Sequence, residues 1–216
     1  MGVAAGAAGV DWVAVGTDRH RLEYAAKPAV LAALVAAAAA IPTGRTDLVD
    51  RRWWFVAALV CCLIGDVVLM LPSQRFVIGL GAFLVGHVLF IVGLLQPPAP
   101  PGVPPFSFST LGLAVAALAV VAVEAAPGTV LLRSLAARGD RALIAPVCVY
   151  IAAIATMVVL AVNVGVARAA VGAALFLVSD TLLAWNRFVR PVRHGHVAIH
   201  VTYHLAQGLL VLSLLR

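Results

Sequence analysis

Long apolar runs broken by short polar ones set the pattern of this chain. Eight such segments are read at about 2–16, 28–42, 53–72, 76–95, 108–126, 142–162, 166–186 and 197–215. The runs are continuous rather than alternating, so each predicts a helix and not a barrel strand. Several approach the roughly 20 residues needed to cross about 30 Å of hydrocarbon. The first two are shorter, roughly 22 Å each at about 1.5 Å per residue. Loops between the runs are too short for a soluble domain. Gln96 to Pro105 contains six prolines and predicts a stiff extended connector without catalytic groups.

Composition agrees with that pattern and fixes the solvent. At 63% hydrophobic and 11% charged residues, with a mean hydropathy of +1.08, there is too little polar surface to cover a core in water. The expected fold is all-α, a polytopic membrane bundle of about eight helices forming one integral domain over residues 1–216. No basic residue precedes the first apolar run, so a cleaved secretory signal is not expected.

Charge then suggests an orientation. With eight spans, one side collects Arg19, Arg21, Lys27, Arg75, Arg133, Arg138, Arg141, Arg187, Arg190 and Arg193, ten in all. The other side collects five: Arg45, Arg51, Arg52, Arg168 and Arg216. Ten against five predicts that the first side is cytoplasmic. The net charge of +6 becomes a loop property suited to anionic lipid headgroups, and no basic surface patterned with aromatics points to nucleic acid.

Against this apolar background the polar residues carry the information. Asp66 and Asp180 lie inside spans, where an ionisable group costs a few kcal/mol and is a functional-site candidate by default. Each follows a small residue, Gly65 or Ser179, which leaves room for a close neighbour. In the last segment His196, His200, Tyr203, His204 and Gln207 fall on one stripe about 100° wide at 100° per residue. Any one of these side chains could merely join helices by hydrogen bonds, but the set predicts a site. Counting from the helix ends brings Asp66, Asp180, His200 and Tyr203 to similar depth in one leaflet. Lys27, the only lysine, begins the second segment there. His87 would mark the floor, and Asn186 and Arg187 the mouth. Glu124 falls near the end of the fifth segment and Glu23 in a loop, both expected to be solvated.

Cys61, Cys62 and Cys148 lie in spans and suit apolar packing. No metal-ligand spacing, phosphate loop or nucleophile elbow is present, and no metal or cofactor is expected.

Lys27-Pro28, GDVVLM at 65–70, GAFLVGHVLF at 81–90, SDTLLAWNRF at 179–188 and YHLAQGLL at 203–210 resemble, in order and spacing, the YhhN family of eight-span membrane proteins. Its characterised animal members are lysoplasmalogenases. The resemblance implies hydrolysis of the vinyl ether bond of a lysoplasmalogen, a lysophospholipid substrate within the bilayer. The products would be a fatty aldehyde and glycerophosphoethanolamine or glycerophosphocholine. It implies Asp66 and Asp180 as the catalytic pair. A composition rich in Ala, Val and Arg suggests a GC-rich bacterial genome, so the expected location of this multi-pass chain is a bacterial inner membrane.

The chemistry fits two acids. Protonation of the vinyl β-carbon gives an oxocarbenium ion that water captures. This requires a proton-bearing acid and a negative charge near the cation. Buried paired carboxyls can share one proton between these roles. One aspartate is expected to protonate carbon while the other stabilises the cation and orients water. His87, Tyr203, His200 and the neighbouring Ser179, His204 and Gln207 would support them. Lys27 with Arg187 or His196 would receive the phosphate.

The alternative class is a small proton-coupled transporter using the same Asp and His groups. No inverted repeat joins the two halves, and the polar groups crowd one leaflet instead of lining a path. An intramembrane aspartyl protease lacks its motif here, since Leu63-Ile64-Gly65-Asp66 carries only one of the two glycines.

Overall fold

The computed structural model describes residues 1–42, 46–71, 75–96 and 110–215. The proline-rich connector at 97–105, together with Arg45 and Arg216, lies outside the described residues. Among those described, the chain forms eight α-helices: α1 (Gly2–Gly16), α2 (His20–Ala39), α3 (Thr46–Met70), α4 (Phe76–Leu95), α5 (Thr110–Ala137), α6 (Ile144–Asn163), α7 (Ala167–Phe188) and α8 (Gly195–Leu212). Six of them, α2 to α7, are long and apolar enough to cross a membrane. At 15 residues α1 is short, and α8 carries the stripe of polar side chains along its 18 residues.

The distribution of side chains is that of a protein in lipid. Leu111, Leu118 and Val123 of α5 point outward, whereas Asp11, Asp66, His87, His200 and Gln207 are buried. Outside apolar and inside polar is the arrangement a bilayer selects, because the polar groups have nowhere else to find partners. The chain is a polytopic helical membrane bundle.

Two helix bounds differ from expectation, and both matter. α2 begins at His20, eight residues before Pro28, which sits inside the helix. Polar residues of the first two turns, Arg21 and Glu23, fall below any hydropathy threshold yet are good helix formers. Lys27 is therefore two turns inside α2 and not at its start. Likewise α5 continues through Pro127 to Ala137, so Glu124 is mid-helix. A proline removes one backbone donor from a helix, and the flanking turns hold.

Helix contacts close a ring in the order α1, α2, α3, α4, α6, α7, α8 and back to α1, with α5 outside against α6 and α7. The tightest seam, between α3 and α4, is set by glycines seven residues apart on α4. A Cβ at Gly86 would lie 2.9 Å from Cys62 Sγ and 3.3 Å from the Ala58 carbonyl, and one at Gly93 2.8 Å from the Phe55 ring. Small residues let membrane helices approach this closely. Gly86→Val should therefore push α3 off α4 at a cost of about 1–3 kcal/mol. A lowered thermal midpoint in detergent checks this, and an unchanged midpoint would contradict the packing.

Arginines close the opposite end. Arg51 Nε and Nη2 donate to the carbonyls of Gly93 (3.1 Å) and Gln96 (3.0 Å), at the end of α4. Arg52 Nη1 donates to Ile41 (2.6 Å) and Ala39 (3.3 Å), at the end of α2. Arg168 Nη2 donates to Leu215 (2.8 Å), just past α8. Cations at helix C-termini satisfy orphan carbonyls and oppose the negative end of the helix dipole.

Candidate active site

Asp66 sits on α3 with 1% of its surface exposed. Its Oδ1 is 2.9 Å from Lys27 Nζ of α2, and its Oδ2 accepts a hydrogen bond of 2.8 Å from the Tyr203 hydroxyl of α8. Three helices thus meet on one carboxyl group. The depth of Lys27 within α2 makes this possible, and its ammonium also lies 5.7 Å from the centre of the Tyr203 ring. The Phe83 ring occupies the space that a Cβ at Gly65 would need, which seats α3 against α4 beside Asp66.

Asp180 on α7 has a different set of neighbours. The Tyr150 hydroxyl of α6 donates to its Oδ2 at 2.5 Å, and His87 Nε2 of α4 lies 3.7 Å from the same oxygen. His87 Nδ1 is 2.8 Å from the Phe83 carbonyl. A carbonyl can only accept, so Nδ1 carries the hydrogen of that bond. The rings of Tyr150 and Phe176 flank the imidazole edge-on at 5.1 and 4.6 Å between centroids. His87 is fully buried and is absent from the walls of both spaces described below, so it does not form the floor of either.

Asp66 and Asp180 line one cavity of about 450 Å³ and lie within electrostatic reach of each other. Glu23, Lys27, Arg187, His196, His200 and Tyr203 share its wall. Among the described residues no hydrogen bond joins the two carboxyls, each of which has its own donors. Asp180 also lines a second, apolar crevice between α4, α5, α6 and α7, walled by Leu80, Leu131, Ile151 and Ile154 among others. Leu69, Phe76, Phe83, Asp180 and Leu183 belong to both spaces. Asp180 is thus the carboxylic acid at the seam between a polar chamber and a greasy one.

Other expected site residues divide. Ser179 and Tyr203 are buried beside the cavity, with Ser179 Oγ donating to the Ile199 carbonyl at 3.2 Å and so joining α7 to α8. Arg187 is exposed at the rim, its guanidinium 4.2 Å from the centre of the Phe76 ring. Asn186 also lines the cavity, but its Oδ1 accepts from the Val192 backbone at 2.8 Å, so it shapes the α7–α8 turn. Lys27 lines the cavity two turns inside α2, with its ammonium paired to Asp66. The α8 stripe is split as well. His200 and Tyr203 face the cavity, while His204 and Gln207 are buried outside its wall, His204 against Trp12 and Gln207 beside Cys62 and Tyr203.

Four residues were not expected here. Asp11 is fully buried, with Oδ2 2.7 Å from His200 Nδ1. Glu23 lines the cavity with its Oε1 3.7 Å from His200 Nε2, and is not a loop residue. Glu124 is half-buried in the apolar crevice and accepts a 3.2 Å bond from the Thr181 hydroxyl, so it is not solvated at a span end. Tyr150 completes the set. Asp11 carried the same signal as Asp66, an acid within an apolar run, whereas Tyr150 carried none.

The sequence profile of the YhhN family matches residues 22–214. A lysoplasmalogenase of Mycobacterium bovis is 36% identical over 198 residues, covering 90% of this chain and 70% of the relative. Human lysoplasmalogenase TMEM86B is 33% identical over 162 residues, 74% of this chain and 62% of the relative. The mouse protein of the same name is 30% identical over 167 residues, 77% of this chain and 66% of the relative. The chain thus spans just under two thirds of the length of the mammalian relatives. No solved structure matches.

Proposed function

Because the chain belongs to the YhhN family, we propose that it is a membrane-embedded hydrolase of the lysoplasmalogenase type. It would cleave the vinyl ether of a lysoplasmalogen to a fatty aldehyde and a glycerophospho-base, in a bacterial inner membrane. The observation that carries the proposal is the position of Asp180 at the seam of the two spaces. In a 1-alkenyl lysophospholipid the vinyl ether is the joint between an apolar tail and a polar head. With the tail in the crevice and the head in the cavity, that joint falls at Asp180.

Roles follow from the partners. Asp66, facing the Lys27 ammonium at 2.9 Å, is the anion of the pair. Asp180, facing a phenol and an imidazole, is the proton donor to the β-carbon. Once it has given its proton, its own carboxylate lies beside the oxocarbenium ion. Asp66 adds negative potential across the same cavity and anchors Lys27 and Tyr203. This assignment replaces a proton shared directly between the two acids. With Lys27 occupied, Arg187 and His196 at the rim are the cations that would meet the lipid phosphate.

A lipid panel tests the proposal. Purified protein in micelles should release aldehyde from a 1-alkenyl lysophospholipid and nothing from its 1-acyl counterpart. Release of fatty acid alone would keep a hydrolase and discard acid catalysis on a vinyl ether. No cleavage of either lipid would leave the transport reading as the better one.

A further inference from the structure

The two ring nitrogens of His200 lie beside two different acids. Nδ1 lies 2.7 Å from Asp11 Oδ2, and Nε2 3.7 Å from Glu23 Oε1. Asp11 comes from α1 and lies outside the span that matches the family profile, residues 22–214. The other imidazole near Asp11, His204, has its Nδ1 at 3.8 Å and accepts the Trp12 indole hydrogen there at 3.2 Å. That nitrogen therefore has no hydrogen to give, and the donor to Asp11 is His200 Nδ1. A carboxylate holding Nδ1–H directs the lone pair of Nε2 the other way, into the wall shared with Asp66 and Asp180. Base, buried orienting acid and reaction chamber are thus assembled from α8, α1 and the cavity, the arrangement by which a histidine is kept in its working tautomer.

We propose that His200 is the base that deprotonates the attacking water, and that Asp11 is its positioning residue. The proposal rests on the vinyl ether reading of the site. Asp180 first gives its proton to the β-carbon, leaving a carboxylate and an oxocarbenium ion. A water oxygen then bonds to the cationic carbon as one of its protons passes to His200 Nε2, forming a hemiacetal and an imidazolium. The hemiacetal collapses as the bond from that carbon to the glycerol oxygen breaks. The glycerol oxygen takes the proton from His200, and the hemiacetal hydroxyl proton returns to Asp180. Both groups end as they began, and one water has been consumed. Glu23, beside Nε2, lies near the imidazolium while it exists. Its other oxygen is 3.5 Å from the exposed ring of His20, toward the surface.

The test uses the intact chain in micelles with a 1-alkenyl lysophospholipid. His200→Ala should lower kcat by about 10²–10³-fold, the scale of a lost general base, with KM little changed. Added imidazole should restore part of the rate. In D2O the unreacted lipid recovered from His200→Ala should carry deuterium on its β-carbon, because the cation forms and reverts when water is not activated. Lipid recovered from Asp180→Asn should carry none. Asp11→Asn should lower kcat in the same sense while leaving imidazole without effect, since the ring is still in place. If the asparagine variant does not fold, the alanine variant with its rescue and exchange decides alone. Undiminished kcat in His200→Ala would overturn the proposal, as would a loss that imidazole does not restore with no deuterium in the recovered lipid. Wild-type protein that releases no aldehyde would instead sink the vinyl ether reading itself.

Discussion

Asp180→Asn should cut aldehyde release by about 10³-fold or more, the upper part of the range for a lost general acid. The change is isosteric, so the Tyr150 hydroxyl can still donate to the amide oxygen in place of Oδ2. What disappears is the transferable proton at the seam. The loss should fall on kcat and leave binding nearly intact, because tail and head are held by the crevice and cavity walls. Steady-state kinetics on monodisperse protein check this. Turnover equal to wild type would remove Asp180 from the chemistry, whatever the substrate.

Lys27→Met should damage folding as well as activity. The carboxyl it leaves behind is 1% exposed, and the lysine side chain is itself only 12% exposed, so little water can take the ammonium's place. Removing one partner of a buried ion pair costs about 3–5 kcal/mol, because the other charge is stranded. Tyr203 alone would then hold Asp66. The double variant Lys27→Met with Asp66→Asn should recover much of the lost stability, since no charge is stranded, without recovering turnover. Thermal melts in detergent with paired rate measurements separate the two effects. Equal stability of the single and double variants would mean that the pair is not coupled as its geometry indicates.

Hydropathy made the membrane class and the centres of α3, α4, α6 and α7 legible, because a bilayer imposes length and apolarity directly on the residues. The depth argument brought Asp66, Asp180, His200 and Tyr203 to one cavity, which is where they meet. It failed at α2 for a definite reason. Pro28 suits the first turn of a helix, so the polar residues before it read as loop and Lys27 as the start of the second segment, not as a residue two turns inside α2 against Asp66. The same threshold hid Glu23. Pro127 ended α5 too early on paper and turned Glu124 outward. Tyr150 could not be found at all. Its partner is 30 residues away on another helix, and a tyrosine in an apolar run has no local reason to be noticed.

The arginines at the far end have a wider consequence. Counted as free charges, Arg51, Arg52 and Arg168 help to balance the ten basic residues of the cavity side. In the folded bundle each guanidinium is clasped to the carbonyl terminus of a helix, whose partial charge of about −0.5 offsets part of its own. The excess of basic residues still lies at the cavity end, even with Lys27 paired to Asp66 and Arg138 turned to the Val189 carbonyl just past α7. Anionic amphiphiles should gather at the face where the chamber opens, which is also where a phosphate-bearing substrate would have to arrive.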